Sequence, residues 1–247
     1  MGRVYSKAPI IEAVIELRTR HAENVTLDDL ARIHGAEATR YPVLDKRLQV
    51  DNRIEVTDGE VSSQIDHRQL GFVFKSADEL QIIHATVQGF LFSRLAPYPN
   101  WEPFVEEAWR VWQKYRQEAK PEALTRVGVR FINRINVPSD SIEIKDYLRT
   151  YPELSGELPQ VLSGYFMQVQ VPLRQFDGIV NITSGIENPG QGLVSLILDV
   201  DCFRDLDLSL SAPDFDEEVR AILWRQREAK NFVFESCITD ATRELIS

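Results

Sequence analysis

The sequence predicts an α+β protein: a large, curved, mostly antiparallel sheet from two similar strand-helix-strands-helix halves, with long helices packed on one face. Three observations predict it. Most segments alternate apolar and polar residues with the period of two that a strand imposes. Two segments depart from this: one from Trp101 repeats apolar residues at helical spacing, and one opening near Ser211 carries helix-start signals and charges placed along a helix dipole. The order of strand, helix, several strands and long helix then runs twice, although the halves share no convincing residue identity. The halves divide as residues 1–119 and 120–247. The Lys120-Pro121 link between them is too short to act as a tether, so they are expected to form one cooperative unit.

The elements follow in order. Ile10 to Arg20 alternates as a strand, with Ile11, Ala13, Ile15 and Leu17 opposite Glu12, Glu16 and Arg18. Thr26 and Asp29 have the spacing of a capping box for a short helix to about Ile33, which Gly35 can stop. Lys46 to Thr57 alternates next, and Asp58-Gly59 is a hairpin turn signal. Strands are expected at Glu60 to Asp66, Gln69 to Lys75 and Glu79 to Phe92, with Asp66-His67-Arg68 and Ala77-Asp78 as turns. Asn100 is placed to cap a helix from Trp101 to Ala119, whose Phe104, Val105, Ala108, Trp109, Trp112 and Tyr115 form an aromatic core stripe.

After Lys120-Pro121 comes the strand LTRVGVRFINRINVP. A short helix is expected over Ser141 to Thr150, and strands over Gln160 to Leu173, Asp177 to Ile186 and Gly192 to Leu206. Gly178 and Asn188-Pro189-Gly190 separate them. Ser211 and Asp214 read as a second capping box, with Pro213 in the first turn. That helix is expected to reach about Lys230, with acidic residues at its positive end and Arg225, Arg227 and Lys230 at its negative one. Thr239 is placed to cap a last helix to Ile246.

The strand from Leu124 to Pro138 carries the most chemical information. Thr125, Val127, Val129, Phe131, Ile135 and Val137 share one face, and Arg126, Arg130 and Arg134 share the other. Three guanidiniums in a row need carboxylates, phosphates or water before them. On Gly192 to Leu206, Ser195, Asp199 and Asp201 face away from Val194, Leu196, Leu198, Val200 and Cys202. Asp199 and Asp201, two residues apart on one strand face, can pair with the arginines, or can share a divalent metal. Gln168 and Gln170 on one neighbouring strand, and Asn181 and Thr183 on the next, extend a polar face. Arg126, Arg130, Arg134, Gln168 and Asn181 are therefore the candidate ligand-binding residues, and Asp199 and Asp201 the candidate metal ligands. Arg126 inclines to a structural role; Arg130 and Arg134 incline to a ligand role.

Composition removes other classes. The chain has 38 acidic and 28 basic residues among 247, for a net charge of −10. Bulk attraction to nucleic acid comes from basic surface, which this balance does not supply. The four histidines lack metal-ligand spacing. No Walker A loop, no Gly-x-Gly-x-x-Gly and no Gly-x-Ser-x-Gly elbow is present. Cys202 and Cys237 read as two buried free thiols. The chain carries no signal-peptide pattern and no membrane-length apolar run, which points to a cytoplasmic protein. Met1-Gly2 with Ser6 matches a myristoylation pattern, and Asn24 and Asn181 open sequons. Neither changes that expectation.

Four blocks carry a family resemblance: YSKAPIIEAVIELR at Tyr5 to Arg18, RLAPYPNW at Arg94 to Trp101, RVGVRFINRI at Arg126 to Ile135, and KNFVFESCITD at Lys230 to Asp240. Together they resemble a sporadically distributed family of uncharacterised prokaryotic proteins of about this length. The resemblance implies mobile genes, as in defence or toxin–antitoxin loci, and transfers no activity. Glu235 lies in the last block, where Phe232 and Phe234 suggest that the block docks the final helix. At the level of architecture, the predicted sheet resembles TATA-binding-protein-like saddles and helix-grip folds, which implies no shared function.

The functional expectation is a non-enzymatic binding or regulatory module without a cofactor, acting through a protein partner or a small anionic ligand. One alternative is a metal-dependent phosphoesterase or nucleotide-processing enzyme using Asp199, Asp201 and the arginines. A second is a carrier of an apolar small molecule held between sheet and helix.

Overall fold

The computed structural model describes residues 3–21, 25–57, 60–160, 162–190 and 192–247, excepting the side chains at 51–64 and 188–190. The Asp58-Gly59 turn, Met1-Gly2 and Asn24 lie outside the described residues. Nine strands form one fully antiparallel sheet. They are β1 (Ile10–Arg20), β2 (Val43–Thr57), β3 (Glu60–Lys75), β4 (Gln81–Thr86), β5 (Gly89–Leu95), β6 (Ala123–Val137), β7 (Phe166–Leu173), β8 (Gly178–Gly190) and β9 (Leu193–Ser209). Their spatial order is β2-β3-β4-β5-β1-β6-β9-β8-β7. In each half the first strand lies beside the last, and the others meander outward. The first strands, β1 and β6, pair along their length and make the join.

The helices are α1 (Leu27–Glu37), α2 (Trp101–Ala119), α3 (Phe215–Cys237) and α4 (Asp240–Ile246). The side-chain alternation of the strands fixes one covered face. A single row, Leu44, Phe74, Ile83, Phe92, Ile15, Val129, Cys202, Val180 and Val171, crosses all nine strands on that face. Its middle members are buried, and only Leu44 and Val171 at the two edges are exposed. Two apolar clusters lie between this face and the helices. One takes Trp112 and Tyr115 of α2, Leu30 and Ile33 of α1, and the first turns of α3. The other takes Ala229, Val233 and Phe234 of α3 and Ile246 of α4. Phe131 of β6, 2% exposed, meets Phe104 of α2 and Tyr98 edge-on, at 6.4 and 5.2 Å between ring centres.

Local chemistry explains several departures from the sequence reading. The α1 capping box is present, with Thr26 Oγ1 accepting from the Asp29 N–H and Asp29 accepting from the Thr26 N–H. Gly35, however, does not stop α1. The helix continues to Glu37, whose buried carboxylate receives two bonds of 2.7 Å from Arg110 of α2. Asp66, His67 and Arg68 lie within β3, which is one strand where two were expected. Conversely, Glu79 to Phe92 divides at Val87-Gln88 into β4 and β5. Asn100 stands at the α2 N-cap without a side-chain cap bond.

The second half shows four more departures. Ser141 to Thr150 forms one 3-10 turn, Ile144–Asp146, because Leu148 pairs with Ile238 as a β-bridge and holds the segment open. β7 begins at Phe166, and the Gln160 side chain donates to the Ser155 and Leu158 carbonyls ahead of it. Ser211 bonds Ser209 instead of closing a capping box, so α3 starts at Phe215 with Pro213 before it. Finally, the apolar stripe of α3 carries on through Val233, Phe234 and Cys237. Arg225, Arg227 and Lys230 are therefore in its middle, and the favourable C-terminal pairing with the helix dipole is not made. Thr239 caps α4 as expected. Gly178 has a specific cause: a Cβ there would stand 2.8 Å from the Phe203 carbonyl and 2.7 Å from the Gln226 Oε1.

The Phe131 ring closes the core where α2, α3 and both sheet halves meet. Truncation to alanine leaves a cavity that rigid strands on either side cannot collapse. Phe131→Ala is expected to lower unfolding free energy by about 3–5 kcal/mol in chemical denaturation. An unshifted midpoint with an unchanged slope would contradict this placement.

Candidate functional site

The other face of the sheet has no helix over it among the described residues. The same alternation that buries Val127, Val129 and Phe131 puts Arg126, Arg130 and Arg134 there. One register row on this face reads Ile82, Ser93, Val14, Arg130, Asp201, Asn181 and Gln170 from β4 to β7. A register shift between Leu124 and Arg126 sets Leu124, rather than Thr125, into the fully buried position at the strand's start.

Arg126 is the centre of a network. Its Nε donates to Glu16 Oε2 at 2.8 Å, and its Nη2 donates to Asp201 Oδ2 at 2.9 Å. Its guanidinium lies 3.4 Å from the centre of the Phe203 ring, a close cation–π stack. Gly128 stands between Glu16 and Phe203 in the register, where a Cβ would make only ordinary contacts, 3.5 Å from the Phe203 Cβ. Asp201 Oδ2 also accepts from Asn181 Nδ2 at 3.2 Å, and Asn181 Oδ1 accepts from Gln170 Nε2 at 2.9 Å. Burial raises the Asp201 carboxyl above its ordinary range, while Arg126 and Asn181 pull it back.

Arg130 grips Asp199 with two parallel bonds, Nε to Oδ1 at 2.8 Å and Nη2 to Oδ2 at 2.5 Å. These bonds and the field of Asp199 raise the Arg130 guanidinium above its usual pKa. Asp199 is 7% exposed. Arg134 makes a single bond of 3.0 Å to Glu187, and both side chains are about half exposed. Gln168 stands opposite Thr183 near the sheet edge, and no hydrogen bond joins it to the network among the described residues.

The arrangement thus brings Arg126, Arg130, Asp199, Asp201 and Asn181 together and leaves Gln168 and Arg134 at the margin. Both aspartates already hold guanidiniums, so a dication bridging them would have to displace those partners. Among the described residues no group of three or more His, Cys, Asp and Glu side chains is disposed to hold a metal ion. Arg130, which the sequence reading inclined to a ligand role, is paired in the structure with a nearly buried carboxylate. Phe203 and Glu187 were not anticipated. Phe203 was legible, because extending the count from Asp199 and Asp201 by two residues puts it on the same face.

A second polar cluster ties the chain's ends. Tyr5 donates to Glu235 Oε1 at 2.6 Å, and Arg243 Nε donates to Glu235 Oε2 at 3.0 Å. The Lys7 N–H donates to the Ile246 carbonyl. Glu235 therefore docks the N-terminal segment as well as α4. The described part of the chain contains no helix long and apolar enough to cross a membrane. Comparison with protein-family models, with curated proteins and with solved structures finds no match.

Removing a guanidinium should cost in proportion to what it leaves unpaired. Arg126→Ala leaves the largely buried Asp201 without a guanidinium, while Glu16 keeps Arg18, and is expected to destabilise the fold by about 3 kcal/mol. Arg134→Ala frees only the solvated Glu187, and is expected to change stability by less than about 0.5 kcal/mol. Paired urea titrations decide it, and equal losses at the two positions would contradict the geometry.

Proposed function

We propose that the protein is a non-enzymatic binding module that engages a protein partner through the open face of its sheet. The observation that carries this reading is the chemistry of that face. Ion pairs already matched within the chain alternate there with the half-buried apolar side chains of Ile82, Leu91 and Ile132. A face of matched charges exerts little pull on a polyanion, and offers apolar contact with a polar frame, as protein interfaces do. Such a partner-dependent module fits a mobile prokaryotic defence or toxin–antitoxin locus, the context that the family resemblance implies.

The test compares two substitutions in the whole chain, purified from a prokaryotic host under native conditions. Ile82→Glu puts a charge on the open face between Lys75 and Ser93, and Glu217→Lys alters the solvent side of α3. Quantitative mass spectrometry should show a co-purifying protein lost from Ile82→Glu and retained by Glu217→Lys, with both melting temperatures near that of the parent. Identical co-purification profiles for the two variants would overturn the reading.

A further inference from the structure

The sheet ends in two edge strands, β2 and β7. They differ as templates for a further strand. β7 has eight residues and carries Pro172, which lacks the N–H that a ladder needs. β2 has fifteen residues and contains neither proline nor glycine. Its one register shift against β3 skips Leu70, so the extra residue belongs to β3 and β2 runs unbroken. Among the described residues β2 pairs with no strand but β3. Every residue from Leu44 to Val50 is exposed, so neither face of this stretch is covered by the described residues. Leu44, Leu48 and Val50 share the face that is buried further into the sheet, yet they are 44%, 49% and 56% exposed.

An unbroken, exposed edge is a liability that chains guard with repelling charges, bulges or proline. The charges of β2 follow another rule. Counted outward from Gln49, Arg47 mirrors Asp51 and Asp45 mirrors Arg53. The apolar residues match in the same way, Leu48 with Val50 and Leu44 with Ile54, and Lys46 mirrors the neutral Asn52. Antiparallel pairing of two copies sets each residue against its mirror about the axis, on the same face. An axis at Gln49 therefore sets both arginines against aspartates and both leucines against β-branched residues. An axis at Leu48 would set Asp45 against Asp51, and one at Val50 would set Arg47 against Arg53. Asp51, Asn52, Arg53 and Ile54 are placed here by backbone register alone. Within the chain, Lys75 reaches Asp45 at 3.2 Å and leaves it half exposed, and Arg47 has no ion pair among the described residues.

We propose that β2 is a self-association edge, pairing antiparallel with β2 of a second copy of this chain about a two-fold axis at Gln49. The outer N–H and C=O groups of β2 then bond between copies, and two nine-stranded sheets become one. The axis stands perpendicular to the sheet, so the helix-covered faces of both copies lie on one side. Leu44, Leu48 and Val50 of one copy adjoin those of the other there. The same patch is used by both chains, so the assembly closes at two. This edge is separate from the open face around β1, β6 and β9, so the proposal and the partner-binding reading can fail independently.

Sedimentation velocity of the full chain over a concentration series should show a monomer–dimer equilibrium. Arg47→Asp and Asp51→Arg each set like charges against one another in a dimer of identical chains. Each should raise the dissociation constant at least about tenfold. An equimolar mixture of the two variants sets opposite charges together again, and should dimerise close to the parental constant. Mixing repairs no folding defect, and positions 47 and 51 of one strand are about 13 Å apart, too far to pair within a chain. Under mild oxidation Gln49→Cys, on the axis, should link to its own copy, and Asp45→Cys, opposite Arg53, should not. The natural Cys202 and Cys237 are buried and do not compete. A parental chain that stays monomeric, growth into open polymers, or a mixture no more dimeric than either variant alone would overturn the proposal. Should a charge variant fail to fold, a Gln49→Cys chain that links no faster than Asp45→Cys would overturn it as well.

Discussion

The ladder between β1 and β6 is the constraint on which the rest of the structure depends. It turns two meanders into one sheet and sets which side chains share a face across the join. Because Ile15 faces Val129 and Leu17 faces Val127, the helices of both halves must lie on the same side. Because Glu16 faces Gly128, the acid of one half meets the arginine of the other. A slip of one residue would send Arg126 and Arg130 into the core and Val127 and Val129 to the open face. The Arg126 guanidinium bridges Glu16 and Asp201 across this register, and so ties the two halves together on the open face.

The two faces solve the problem of charge differently. On the open face, Arg126 and Arg130 are held by acids on adjacent strands. On the covered face, Lys230 and Arg94 are left with an aromatic ring, an amide oxygen and a distant carbonyl. Desolvation without a counter-charge is costly, so the same chain that matches its charges on one side leaves them unmatched on the other.

Much of this was legible in the sequence. Period-two alternation identified the central strands, and the face of Arg126, Arg130 and Arg134 followed from counting alone. The pairing with Asp199 and Asp201 was among the readings the residues allowed. What the sequence did not disclose depends on contacts between distant segments. Gly35 resembles a helix stop until Arg110 is known to reach Glu37. Asp66-His67-Arg68 looks like a turn until β2 is seen to run beside it. Ser141 to Thr150 has helical signals that lose to a β-bridge between Leu148 and Ile238. Lys230 reads as a helix-end cation, and only the extra turns of α3 put its ammonium in the middle of the helix, against the Phe131 ring.

The central claim is that the β1–β6 ladder makes the two halves one cooperative unit, despite a chain that reads as two successive meanders. Native-state hydrogen exchange tests it most directly, because exchange reports the opening free energy of each strand separately. Amides of β5, β1, β6 and β9 should converge on a single opening free energy equal to that of global unfolding, and should share its denaturant dependence. Amides of β5 and β1 that open together at a distinctly lower free energy, while β6 and β9 remain protected, would contradict it.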